Sequence, residues 1–104
     1  MLSIDELRNL CAYKNLAITK HAVVKLKERS ITVTDLKCAI ATGEILRQYE
    51  DDKPFPSCLV LGKDENDEYI HVVASIDGDF LHIITAYRPD VLIWEEGFKE
   101  KRRK

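Results

Sequence analysis

Three side chains able to meet a phosphate recur at four-residue steps in one stretch, His21, Lys25 and Arg29. On an α-helix such steps drift slowly around the axis, so the three form one polar stripe beside Glu28. Metal-free cleavage of RNA needs a base for the 2′-hydroxyl proton, an acid for the leaving oxygen, and cations for the phosphate oxygens. A histidine with lysine and arginine neighbours supplies all three types. The bland alternative is a solvated helix face, and Lys20 and Lys27 elsewhere on the same helix show that charge is tolerated there.

The second histidine lies in Tyr69-Ile70-His71-Val72-Val73-Ala74, where strand alternation puts His71 on one face with Tyr69 and Val73. It faces the helices or a cleft, as a site residue or as a hydrogen-bonded structural histidine. His82 alternates with Phe80, Ile84 and Ala86 and reads as surface or packing. In Tyr87-Arg88-Pro89-Asp90, alternation sends Tyr87 and Arg88 to opposite faces, and Pro89 ends the strand. The forked guanidinium of Arg88 suits a phosphate, or equally a salt bridge to Asp90 or Glu95. Trp94 reads either as a stacking platform for a base or as a lid on the core.

Other chemistries find little support. Cys11, Cys38 and Cys58 are odd in number, far apart and flanked by apolar residues, which reads as reduced, packed thiols rather than a metal site. The acidic run Asp64 to Glu68 lacks the glycine a calcium loop needs at its sixth position, where Tyr69 stands. There is no glycine-rich phosphate loop, H-E-x-x-H or G-x-S-x-G, so neither a metal nor a cofactor is expected.

The elements that must position these residues follow from caps and period. Ser3-Ile4-Asp5-Glu6 is a capping box, followed by Leu7, Leu10 and Cys11 at helical spacing, so a first helix runs to about Lys14. Thr19 caps a second helix to about Arg29, with Ile18 and Val23 as a hydrophobic staple and Ala22, Val23 and Leu26 as its apolar stripe. Thr32, with Asp35 three residues later, starts a third helix burying Val33, Leu36, Ala39 and Ile40, and Gly43 stands where a left-handed C-terminal residue belongs. The period then becomes extended: Glu44 to Tyr49, Ser57 to Lys63, Tyr69 to Ile76 and Phe80 to Tyr87 read as strands. An acidic turn, an Asp77-Gly78 hairpin signal and a loop stiffened by Pro54 and Pro56 join them, so neighbours pair antiparallel. Asp90 to Phe98 reads as a short helix over the sheet. The fold class is α+β, N-terminal helices packed on a four-stranded antiparallel sheet, with residues 1–104 as one domain, residues 1–14 as its N-terminal helix and residues 99–104 as a basic tail.

The 104 residues are 45% apolar, enough for one core, and carry a net charge of −2. That charge is uneven. Residues 1–43 hold seven Lys or Arg against four Asp or Glu, residues 44–68 three against eight, and residues 69–104 six against six. This is not the profile of a strongly basic nucleic-acid binder. No apolar stretch approaches bilayer length and no signal pattern opens the chain, so a cytoplasmic protein without a membrane partner is expected.

Three segments taken together resemble a known family: Ile18-Thr19-Lys20-His21-Ala22 through Glu28-Arg29-Ser30-Ile31, the junction Thr42-Gly43-Glu44-Ile45, and Ile70-His71-Val72-Val73 with Ile84-Thr85-Ala86-Tyr87-Arg88-Pro89-Asp90. With Trp94 and the stretch from Phe98 to Arg103, they are similar over residues 15–103 to a bacterial and archaeal domain-of-unknown-function family related to the RelE and BrnT toxins. The resemblance implies a RelE/BrnT-like fold, the toxin role in a type II toxin-antitoxin module, and metal-independent cleavage of mRNA. It also implies a small MqsA-like zinc-finger antitoxin as partner. On that reading His21, His71 and Arg88 are catalytic, while Lys25, Arg29, Tyr87 and Trp94 hold the RNA. Two alternatives keep the fold without cleavage. One is a protein-binding module, which the low net charge favours; the other is a homodimer or larger homo-oligomer packed through Val91 to Trp94.

Overall fold

Side-chain caps start the three helices found among the described residues. A computed structural model describes residues 1–12 and 15–89. Ser3 Oγ accepts the Glu6 N–H at 3.2 Å at the start of α1 (Ile4–Ala12), and Thr19 Oγ1 accepts the Ala22 N–H at 3.1 Å for α2 (Lys20–Glu28). The full reciprocal capping box forms at α3 (Val33–Thr42): Thr32 Oγ1 accepts the Asp35 N–H, and Asp35 Oδ2 accepts the Thr32 N–H, both at 3.0 Å. At the end of α2, Ser30 adopts the left-handed region at φ 57° while the Ile31 N–H reaches Leu26 O at 2.9 Å.

Gly43 does not take the left-handed conformation expected of it; its φ of −90° and ψ of 176° are extended. Glycine is required there by space instead, because a Cβ would collide with the Ala39 and Leu61 carbonyl oxygens. Gly62 is tighter still, with the backbone of Ala39 lying directly against its Cα, so α3 sits as close to the sheet as two backbones allow.

The four expected strands form: β2 (Glu44–Tyr49), β3 (Ser57–Lys63), β4 (Tyr69–Asp77) and β5 (Phe80–Tyr87), each antiparallel to the next. The β4–β5 hairpin turns on Gly78 and Asp79, with Gly78 at φ 61°. The sheet is nevertheless five-stranded and mixed, not four-stranded and antiparallel. A short strand β1 (Leu16–Ile18) pairs parallel with β5, Leu16 opposite Leu81, giving the order β1-β5-β4-β3-β2. Three residues are too few to show a period, and the partner of β1 lies at the other end of the chain, which is why alternation could not reveal it.

One sheet face carries Cys58, Val60, Ile70, Val72, Ala74, Leu81, Ile83 and Ala86 into a core closed by Leu7, Leu26, Ile31, Leu36, Ala39 and Ile40. Val33 and Val23, expected inside, are instead 47% and 38% exposed, since each lies off the stripe that its helix turns inward. The opposite face carries His71, Val73, Ser75, His82, Thr85 and Tyr87. On β5 the alternation breaks at Ile84, where the register slips opposite Val73 and Ala74; Ala86 is therefore buried on the core face rather than aligned with His82. Among the described residues no helix is long and apolar enough to cross a membrane. The expected C-terminal helix with Trp94, and the basic tail, lie outside the described residues.

Candidate functional site

A seam between α2 and β5 gathers most of the reactive side chains. Because β1 runs parallel to β5 and the chain passes through Thr19 directly into α2, the helix continues alongside β5 in the same direction. Eight residues of helix, His21 to Arg29, advance about 12 Å. Four residues of strand, His82 to Ala86, advance about 13 Å. The two run in step: His21 borders the same cleft as His82 and Ile84, while Arg29 Nη1 donates to Thr85 Oγ1 at 3.1 Å and to Ala86 O at 2.9 Å.

The cleft at the start of the seam has a volume of about 370 Å³. Its walls are Thr19 and His21 from the helix side, Ser75, His82 and Ile84 from the sheet, and Asp52, Lys53, Pro54 and Phe55 from the loop before β3. Ser75 and His82 face each other across the β4–β5 register. Asp52 is turned toward its own loop, Oδ2 accepting the Ser57 hydroxyl at 2.6 Å and Oδ1 the Lys53 N–H at 3.1 Å. Neither His21 nor His82 hydrogen-bonds or ion-pairs with another described residue.

Farther along, His71 Nδ1 lies 3.4 Å from Tyr87 Oη, and the rings meet edge to face at 5.4 Å and 71°. Burial pushes the Tyr87 hydroxyl up from its ordinary pKa; Tyr49 adds to the rise and Arg29 opposes it. His71 is fully buried on the face away from the helices. Lys25, midway along the stripe, has Nζ 3.6 Å from Glu28 Oε2.

Arg88 is spent on the fold. Nη1 donates to Arg29 O at 2.7 Å, and Nη2 to Ser30 O at 3.4 Å and to Asp64 Oδ2 at 3.2 Å, with Nε 3.7 Å from Glu68. A salt bridge from Arg88 thus goes to the β3–β4 turn; Asp90 and Glu95, the partners considered from the sequence, lie outside the described residues. Its contacts would have to break before it took a phosphate.

Of the sequence-derived set, the structure places His21 in the cleft, Lys25 and Arg29 along the seam, and His71 with Tyr87 beyond it. Trp94 lies outside the described residues. The residues that sequence reading passed over are His82, Ser75, Lys53 and Phe55. Alternation against Leu81 and Ile83 marks His82 as pointing away from the core, and hairpin register pairs it with Ser75; its approach to His21 depends on β1 and so left no local signal.

Cys11 and Cys58 offer no competing nucleophile. Cys11, Cys38 and Cys58 are all free, and burial pushes Cys58 up to about 11. Cys11 is raised by burial against a smaller lowering by Lys37, whereas a reactive thiol needs the opposite shift. Among the described residues no three His, Cys, Asp or Glu side chains are grouped to hold a metal ion. A family model described as a domain of unknown function, DUF4258, matches residues 18–88. No curated protein and no solved structure matches the chain.

Proposed function

The chain belongs to the DUF4258 family, a domain of unknown function, and from its site we propose that it is a metal-independent endoribonuclease acting on mRNA, the toxin component of a type II toxin-antitoxin module. The observation that carries the reading is the convergence of His21 and His82, from separate elements, in one open cleft with Ser75 and Lys53 at the head of the α2 cation stripe. One imidazole takes the 2′-hydroxyl proton as that oxygen attacks phosphorus. The bond from phosphorus to the 5′-oxygen breaks, and the other imidazole protonates the leaving oxygen, giving a 2′,3′-cyclic phosphate and a 5′-hydroxyl. Lys53 and Lys25 supply positive charge to the phosphate oxygens. Tyr87, half-buried and backed by the fully buried His71, contacts the RNA farther along the seam. Three helices on one face of a largely antiparallel sheet are compatible with kinship to the RelE and BrnT toxins, and a small MqsA-like zinc-finger antitoxin is the partner that this kinship proposes.

The test is cleavage of an mRNA in chelator, with and without ribosomes, by wild type, His21→Ala, His82→Ala and His71→Ala. Loss of either acid-base partner should slow cleavage about 10²- to 10⁴-fold. Undiminished cleavage by both His21→Ala and His82→Ala would remove this pair from the chemistry, while loss in His71→Ala alone would report the packing of a fully buried side chain. No cleavage by wild type in either setting would end the enzyme reading.

A second reading is a non-catalytic protein-binding module of the same fold. It is favoured by the net charge of −2 and by the internal bonds that already occupy Arg29 and Arg88.

A further inference from the structure

We infer that the cleft between His21 and His82 is a pocket for a single unpaired nucleotide, which makes single-stranded RNA the substrate. The location rests on the ribonuclease reading above; the stacking contact and the strand preference do not require cleavage. The first observation is shape. The cleft is concave, and about 370 Å³ lies near the lower end of the roughly 300–1,000 Å³ typical of small-ligand sites. A base inside an A-form duplex is stacked on both sides with its major-groove edge out of reach of side chains, so only a splayed nucleotide can enter such a space.

The second observation is chemistry. One wall is apolar: Phe55 is 37% exposed, it makes no ring contact with another described residue, and Ile84 at the β5 bulge is 39% exposed beside Pro54. An aromatic face held open on a loop is costly to leave in water, and every base offers it a π-face to stack on. The other wall is polar, with the two imidazoles, the Ser75 hydroxyl and Lys53, which forms no ion pair with a described residue. Asp52, the one carboxylate in the cleft, has both oxygens engaged by its own loop, which leaves Lys53 to face the phosphate. An apolar wall facing a hydrogen-bonding wall, with a cation at the rim, matches base, ribose and phosphate in turn.

The experiment is binding without cleavage. A fully 2′-O-methylated strand of about twelve nucleotides is titrated by fluorescence anisotropy at low salt, alone and annealed to its complement, against full-length wild type, Phe55→Ala, Phe55→Trp and His82→Ala. The single strand should bind at least about ten-fold more tightly than the duplex. Phe55→Ala should weaken it by about 5- to 150-fold, the range that loss of one stacked base gives, and Phe55→Trp should restore it. His82→Ala, which removes one hydrogen-bonding group from the polar wall, should weaken binding less than Phe55→Ala does and should fail to cleave the unmodified strand. Equal affinity for duplex and single strand, or wild-type affinity in Phe55→Ala, overturns the inference; the latter is also the result expected if a protein covers this face instead. If the binding pattern holds but wild type cleaves nothing, the nucleotide pocket stands and the ribonuclease reading falls.

Discussion

Replacing Arg88 with alanine removes the contacts that tie the end of β5 to the end of α2 and to the β3–β4 turn. The Asp64 side chain is fully buried while that of Arg88 is 34% exposed. Without the guanidinium, Asp64 keeps only the N–H groups of Asn66 at 2.8 Å and Glu68 at 3.0 Å, both on Oδ1, and Oδ2 loses its partner. Removing one member of a fully buried pair destabilises by about 3–5 kcal/mol. Water reaching the vacated, partly exposed position and the two remaining amides bring the expected figure down to about 2 kcal/mol. The bonds to Arg29 O and Ser30 O, which hold the left-handed Ser30 in place, add about 1 kcal/mol. Urea unfolding of Arg88→Ala should therefore show a loss of about 3 kcal/mol, lowering the midpoint by about 2 M. In the Asp64→Asn background the same substitution should be milder, with a coupling of about 1–2 kcal/mol. Stability within about 0.5 kcal/mol of wild type would refute the clamp. Unchanged stability with lost cleavage would place Arg88 on the substrate instead.

Gly62→Ala should destabilise by about 3 kcal/mol or more, or prevent folding, because the added Cβ meets the backbone of Ala39, which cannot move without lifting α3 from the sheet; thermal melting checks this. Cys58 gives a pH signature of definite sign. A thiol held at about 11 when folded, against an ordinary 9.0, keeps its proton more tightly in the folded state, so its contribution is complete below pH 9 and is lost as pH rises through 11. Two pH units correspond to roughly 3 kcal/mol, and melts from pH 8 to 11 should show a steeper decline for wild type than for Cys58→Ala.

Helix starts were legible because each is set within four residues: Thr32 and Asp35 cap α3 as their spacing implies. Strands β2 and β3 were legible because extended apolar runs ended by turn residues leave few alternatives. What escaped was non-local. β1 is only three residues of a parallel pair, the extended Gly43 answers to Ala39 and Leu61 rather than to its own turn, and the partner of Arg88 is a carboxylate 24 positions earlier. The site followed the same division. The His21, Lys25 and Arg29 stripe came from helical period alone, whereas His82 acquires meaning only when β1 and α2 bring His21 to it.

The bulge at Ile84 shows how one residue can arrange a site. Strict alternation from Leu81 and Ile83 inward would carry Thr85 and Tyr87 into the helix-covered core and turn Ala86 out. The core would then have to accept a hydroxyl and a phenol where it now holds a fully buried Ala86. With one extra residue inserted opposite Val73 and Ala74, the last three positions of β5 exchange faces. Tyr87 comes to lie beside His71, Thr85 comes within reach of Arg29, and both share the face of His82. Ile84, which alternation already turns outward with His82, stands exposed at the cleft wall. The polar line along the seam is thus the consequence of a single register slip, joined to the helix stripe by the parallel pairing of β1.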